Sequence, residues 1–316
     1  MGATFGSGSP VMLTIGDSVT WGQGLQDWNK FDRLVCDRLK YRPEYAGLTL
    51  ARLAHSGAII GADSDQTGRA APGEVPWPFP TVIQQCASYD GDPDAVRVVL
   101  MNGGINDVSL QVIANPQTTL ETLGDLLECY CYRGMLELLK SVAARFSNPA
   151  CRIIVTGYYQ ILSAASSFAP TVAFLEILGI TEASTLLHTA TGFSDLVALS
   201  HLFWQGSNTA LSKAVDEVNP TVGNRITFVG SGLTEQNSLF QGESLLWVFS
   251  GTPPIVDAAD DFRDFRAQVC SNFYPDGSVD CAICRFASVG HPTAGGAIKY
   301  YEQIMEAFPV SDSAGG

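Results

Sequence analysis

Gly16-Asp17-Ser18 stands directly after Val11-Met12-Leu13-Thr14-Ile15, a short apolar run that reads as a buried strand opening the fold. A serine at such a strand-to-helix turn exposes its hydroxyl beside free backbone N–H groups of the segment that follows. Asp and Ser are also ordinary helix-capping residues, so the tripeptide alone decides little. Two further segments add weight. Gly104-Ile105-Asn106-Asp107 follows a second apolar run, Val96 to Met101, and the short amide of Asn106 can offer an N–H to a developing oxyanion. His291 lies near the other end of the chain, just before Pro292 and a helical pattern, where its imidazole can accept a proton. A nucleophile, a base and a neutral donor are the minimum set for acyl transfer.

Positioning these residues requires a scaffold that brings distant segments to one edge. Apolar runs at 11–15, 96–101, 151–155 and 225–229, with a further strand expected at 48–53, alternate with helix-length patterns at 29–39, 120–146, 194–218 and 293–308. The Cys-Tyr-Cys-Tyr-Arg-Gly stretch is expected to break the 120–146 pattern into two helices, since glycine is costly inside a helix. Strands apolar on both faces need helices on both sides. The expected architecture is therefore a three-layer α/β/α sandwich with a mainly parallel central sheet, forming one domain over 1–316 with an apolar helical insertion around 158–220. Two readings of that insertion stand: additional core, or a wall over an apolar substrate. Ligands bind such sheets outside the C-terminal strand ends, where Ser18 and the 102–107 loop fall.

In these blocks the sequence resembles the SGNH, or GDSL-type, hydrolase family. Gly16-Asp17-Ser18-Val19-Thr20-Trp21-Gly22 looks like its first block, His55-Ser56-Gly57 its looser second, Gly104-Ile105-Asn106-Asp107 its third and His291-Pro292 its fourth. The resemblance implies Ser18 as nucleophile, His291 as base, and an oxyanion hole from the Ser18 and Gly57 N–H groups and the Asn106 side chain. It implies loop-framework roles for Asp17 and Asp107, and no metal or organic cofactor. Family members usually carry an aspartate three residues before the histidine, whereas here that position is Ser288. Three explanations compete: a Ser–His dyad aided by a backbone carbonyl, a carboxylate from elsewhere, with Asp276 and Asp280 nearest upstream, or loss of hydrolysis. Trp21 and His55 are candidate substrate contacts, each with a local packing or hydrogen-bonding alternative.

The expected activity is hydrolysis of carboxylic esters, including lipid or other acyl esters. Sugar O-deacetylation and acyl transfer use the same site, and a non-catalytic acyl-ligand or protein-binding domain is the reading from a different class. A formal net charge of -14 opposes nucleic acid as a partner, and no apolar run is long enough to span a bilayer. Oligomeric state is not fixed by the sequence. The chain shows no retained secretory signal, and a secreted protein with its signal removed is favoured over a cytoplasmic one. Among eight cysteines, Cys270, Cys281 and Cys284 are spaced to hold a disulfide or a redox pair, with zinc disfavoured for want of a second CxxC.

Overall fold

The computed structural model describes residues 8–61, 80–180 and 182–308. Strand β1 (Val11–Ile15) is followed by the one-turn helix α1 (Ser18–Trp21), then α2 (Phe31–Leu39) and β2 (Thr49–Arg52). Helix α3 (Val82–Ser88), opened by a capping box between Thr81 and Gln84, leads to β3 (Val96–Met101). Short helices α4 (Ile105–Val108) and α5 (Leu110–Ile113) precede α6 (Leu120–Leu126), a π-helical stretch over Leu127–Gly134, and α7 (Met135–Arg145). Strand β4 (Arg152–Thr156) leads through α8 (Phe168–Ile177), α9 (Ala183–Leu187) and the long α10 (Gly192–Val218) to β5 (Ile226–Val229). A small antiparallel pair, β6 (Phe249–Ser250) and β7 (Ile255–Val256), is followed by α11 (Arg263–Phe273), α12 (Val279–Arg285) and α13 (Ala294–Glu306).

The central sheet is wholly parallel in the order β2-β1-β3-β4-β5. Its middle strands are buried because they are apolar on both faces: Met12, Leu13, Ile15, Val98, Val99, Leu100, Ile153 and Ile154 are all inaccessible. One helical layer contains α2 and α13, which pack on each other, with Phe31 stacked on Tyr300 at 4.8 Å. The other contains α3, α7 and α10. This is the α/β sandwich expected from the alternation of patterns. Strand order reverses between β1 and β3, so the crevice at their C-terminal ends is the place where such sheets bind ligands.

One expectation needs correction. The 120–146 pattern does not break into separate helices: α6, the π-helical stretch and α7 run on without a gap. Burial of Leu127 and Cys131 against the core, with α10 packed alongside, outweighs the glycine penalty at Gly134. Helix α10 packs on α7 and β5 within the helical layer and carries the chain from β4 to β5, with α8 and α9 preceding it.

Candidate active site

The site is built on the ends of β1 and β3. Gly16 closes β1 with φ +141°, and a Cβ there would lie 2.2 Å from Asn102 Oδ1, so only glycine fits. The Gln85 amide clamps it, accepting from Gly16 N–H at 2.7 Å and donating to its carbonyl at 3.0 Å. Asp17 caps α1 by accepting the Val19 N–H at 2.8 Å. Its carboxylate also accepts from Asn102 Nδ2 at 2.8 Å and from the Tyr158 hydroxyl at 2.7 Å, while the Tyr158 oxygen accepts the Ile105 N–H at 3.2 Å. The ends of β1 and β3 and the segment after β4 are thereby tied together. Burial raises the Asp17 pKa, opposed by the bonds from Tyr158 and Asn102. Asp107 accepts the Ile60 N–H at 3.0 Å, and burial pushes its pKa up to about 6 against that bond. Both aspartates have all these partners in the framework of the loops.

Ser18 opens α1 and is buried except toward a cavity of about 170 Å³. His291 Nε2 lies 2.7 Å from Ser18 Oγ, although 273 residues separate them. For Nε2 to accept the serine proton, the ring proton must sit on Nδ1. The N–H groups of Ser18 and Gly57 make no hydrogen bond among the described residues, and both residues line the cavity. Asn106 lines it too, with one of its two amide hydrogens given to the Ala58 carbonyl at 2.9 Å. That bond ties Asn106 to the turn carrying Gly57 and leaves its second N–H for a ligand. The four residues expected to carry acyl chemistry therefore converge.

The far side of His291 meets backbone carbonyls and, among the described residues, no carboxylate. The Ser288 hydroxyl does not meet the ring; it accepts from Arg266 Nη2 at 2.9 Å, and Arg266 is itself paired with Asp260. Asp276 is exposed and paired with Arg285 at 2.8 Å, and Asp280 sits in the first turn of α12 with no bond to the ring. Neither supplies an orienting carboxylate. Carbonyls of Ser288, Ala287 and Val289 lie around the ring and favour its protonation, yet none meets hydrogen-bond geometry at Nδ1. Burial lowers the His291 pKa to about 4, against those carbonyls, and the Arg266 charge lowers it further. One edge of the ring opens on the cavity; the remainder is packed.

The cavity walls are largely apolar. Phe174, Ile177 and Leu178 come from α8 and the residue after it, while Ile283 and Phe286 come from α12 and its end. The apolar segment is thus both core and wall, since Phe174 and Leu175 are also buried in the main cluster. Gln23 and Ser56, joined by a hydrogen bond, add polar lining that no motif or spacing singles out. Trp21 and His55, candidate substrate contacts from the sequence, are not in the lining of this cavity. Lys30 Nζ sits 3.5 Å above the Trp21 ring, and His55 Nδ1 pairs with the Ser56 carbonyl at 2.8 Å, so local contacts occupy both. Cys270 and Cys284 form a disulfide joining α11 to α12, leaving Cys281 as a free thiol beside them. No cluster of three metal-ligating side chains occurs among the described residues, and none of their helices is long and apolar enough to cross a membrane.

No family model and no curated protein matches the chain. Among solved structures it is similar to the phospholipase A1 from Streptomyces albidoflavus NA297, over 95% of this chain and 99% of that one, with a TM-score of 0.50 and 13% identity. The two share a fold. The lipase Lip_vut3 from a goat rumen metagenome matches over 94% and 97% of the two chains at 13% identity, with a TM-score of 0.47.

Proposed function

We propose that this chain is a serine esterase that hydrolyses carboxylic esters through an acyl-enzyme on Ser18. The observation that carries the reading is the 2.7 Å contact between His291 Nε2 and Ser18 Oγ on the wall of an apolar cavity. His291 takes the serine proton as Oγ attacks the ester carbonyl. Negative charge on the carbonyl oxygen is held by the N–H groups of Ser18 and Gly57 and the free hydrogen of the Asn106 amide, donors already fixed before reaction. Collapse transfers the proton from His291 to the departing alcohol. A water molecule, deprotonated by His291, then attacks the acyl-enzyme; the acyl–Oγ bond breaks, the acid leaves, and His291 returns the proton to Ser18 Oγ. Its fold neighbour is a phospholipase A1, in keeping with ester chemistry. The Cys270–Cys284 bond supports an oxidising, hence secreted, setting.

The acyl group is the part of the substrate that the cavity selects. Its volume, about 170 Å³, is close to that of apolar protein cavities of roughly 150 Å³ that hold benzene, which fits an acyl chain of about six carbons. Each methylene buried there contributes about 0.8 kcal/mol, or about fourfold in kcat/KM. Across p-nitrophenyl esters, kcat/KM is expected to climb from acetate to about hexanoate and then level or fall. A maximum at acetate overturns the acyl-pocket reading in favour of deacetylation. Absence of turnover with every ester overturns the esterase reading.

A further inference from the structure

Arg266 and Asp260 have fully buried side chains, and an ion pair held there bears a desolvation penalty that needs good geometry to offset. Besides Asp260, the guanidinium reaches Ser288 Oγ at 2.9 Å through Nη2 and the Arg285 carbonyl at 3.3 Å through Nε. These two contacts bracket the start of the turn that ends in His291, where His291 N–H donates to the Ser288 carbonyl at 2.8 Å. Trp247 holds the other side of the turn: its carbonyl accepts the Gly290 N–H at 3.0 Å and its N–H donates to the His291 carbonyl at 2.8 Å. The Tyr159 hydroxyl adds a bond to the Gly290 carbonyl at 2.7 Å. With Nε2 turned to Ser18 and no side chain bonded to Nδ1, the turn that carries His291 is what places its ring.

We propose that the buried Asp260–Arg266 pair is the positioning unit of His291, acting through Ser288 where an orienting carboxylate would otherwise stand. Arg266 fixes the turn with a planar fork that no ammonium can reproduce. Asp260 holds the fork in place, being itself fixed by the Phe262 N–H at 3.0 Å. It also offsets the Arg266 charge, which would otherwise oppose the imidazolium formed during acyl transfer. This inference rests on the esterase reading.

The test measures kcat and KM on p-nitrophenyl hexanoate, with melting temperature, for the full chain and four variants. Asp260→Asn and Arg266→Lys are expected to lower kcat about tenfold to a hundredfold, the effect of a misdirected base, while KM stays within about twofold. Asp260→Glu, which keeps the charge, is expected to recover part of the Asp260→Asn loss. Asp276→Asn, at the exposed pair with Arg285, leaves both constants unchanged. Folded Asp260→Asn and Arg266→Lys proteins with wild-type kcat, lowered in melting temperature alone, overturn the proposal and leave the esterase reading intact. If Asp260→Asn does not fold, Arg266→Lys, which retains the ion pair, decides by the same outcomes. A wild-type chain that turns over no ester overturns both.

Discussion

His291 is half-buried, with Nε2 at the cavity and the Arg266 charge near enough to oppose its protonation. His291, with its pKa lowered to about 4 chiefly by burial, is ready to accept a proton at neutral pH. The base works in its deprotonated form, so activity is present above that value and lost as pH falls through it. The acid limb of kcat/KM is therefore expected near pH 4, well below the 6.5 or so of a free imidazole. A limb near 6.5 would show that the ring is solvated in the working enzyme. Ser18, Asn106 and His291 were legible only together: a short polar residue at a strand end or helix start is explained by capping alone, and it was the joint occurrence of a hydroxyl, an amide and an imidazole after separate apolar runs or before a helix that pointed to a site. Arg266 and Asp260 were not. In sequence they belong to a run of mixed charge with Asp261, Arg263 and Asp264, which reads as a solvated face, and their contact with Ser288 arises only in the folded chain.

At the scale of elements, the parallel strands announced themselves because burial on both faces demands uninterrupted apolar runs. Helices α11 and α12 did not, since their buried side is small and is completed by the Cys270–Cys284 bond rather than by a long apolar stripe. The unbroken helix through Leu127–Gly134 was misread for a related reason: local propensity favoured a break, and tertiary packing overrode it. That stretch also shapes the site. Gly104, which precedes the helix carrying Asn106, has φ +124°, and a Cβ there would lie 2.9 Å from the Cys131 sulfur. Gly104→Ala is expected to destabilise the fold by about 1–3 kcal/mol, from backbone strain and the clash, read from the urea midpoint. An unchanged midpoint would mean that the 102–107 loop is free to relax.

For the molecule as a whole, function depends on the sheet order β2-β1-β3-β4-β5, whose reversal beside β1 opens one crevice to segments from both ends of the chain. The alternation of strand and helix patterns was enough to expect that sandwich. Which face the 168–187 segment would wall was not legible, because an apolar helix satisfies a core and a cavity with the same residues. Likewise, the polar lining from Gln23 and Ser56 follows from two loops meeting, not from any local pattern. On the proposed reading, the convergence of Ser18 and His291 across 273 residues is what makes one alcohol reactive. Incubation of the intact chain with a serine-directed fluorophosphonate, followed by mass-spectrometric mapping, reads that convergence. We expect a single adduct on Ser18 that is lost in the His291→Ala variant. Equal labelling of Ser18 with and without the His291 imidazole, or no labelling under conditions that modify an active esterase, would contradict it.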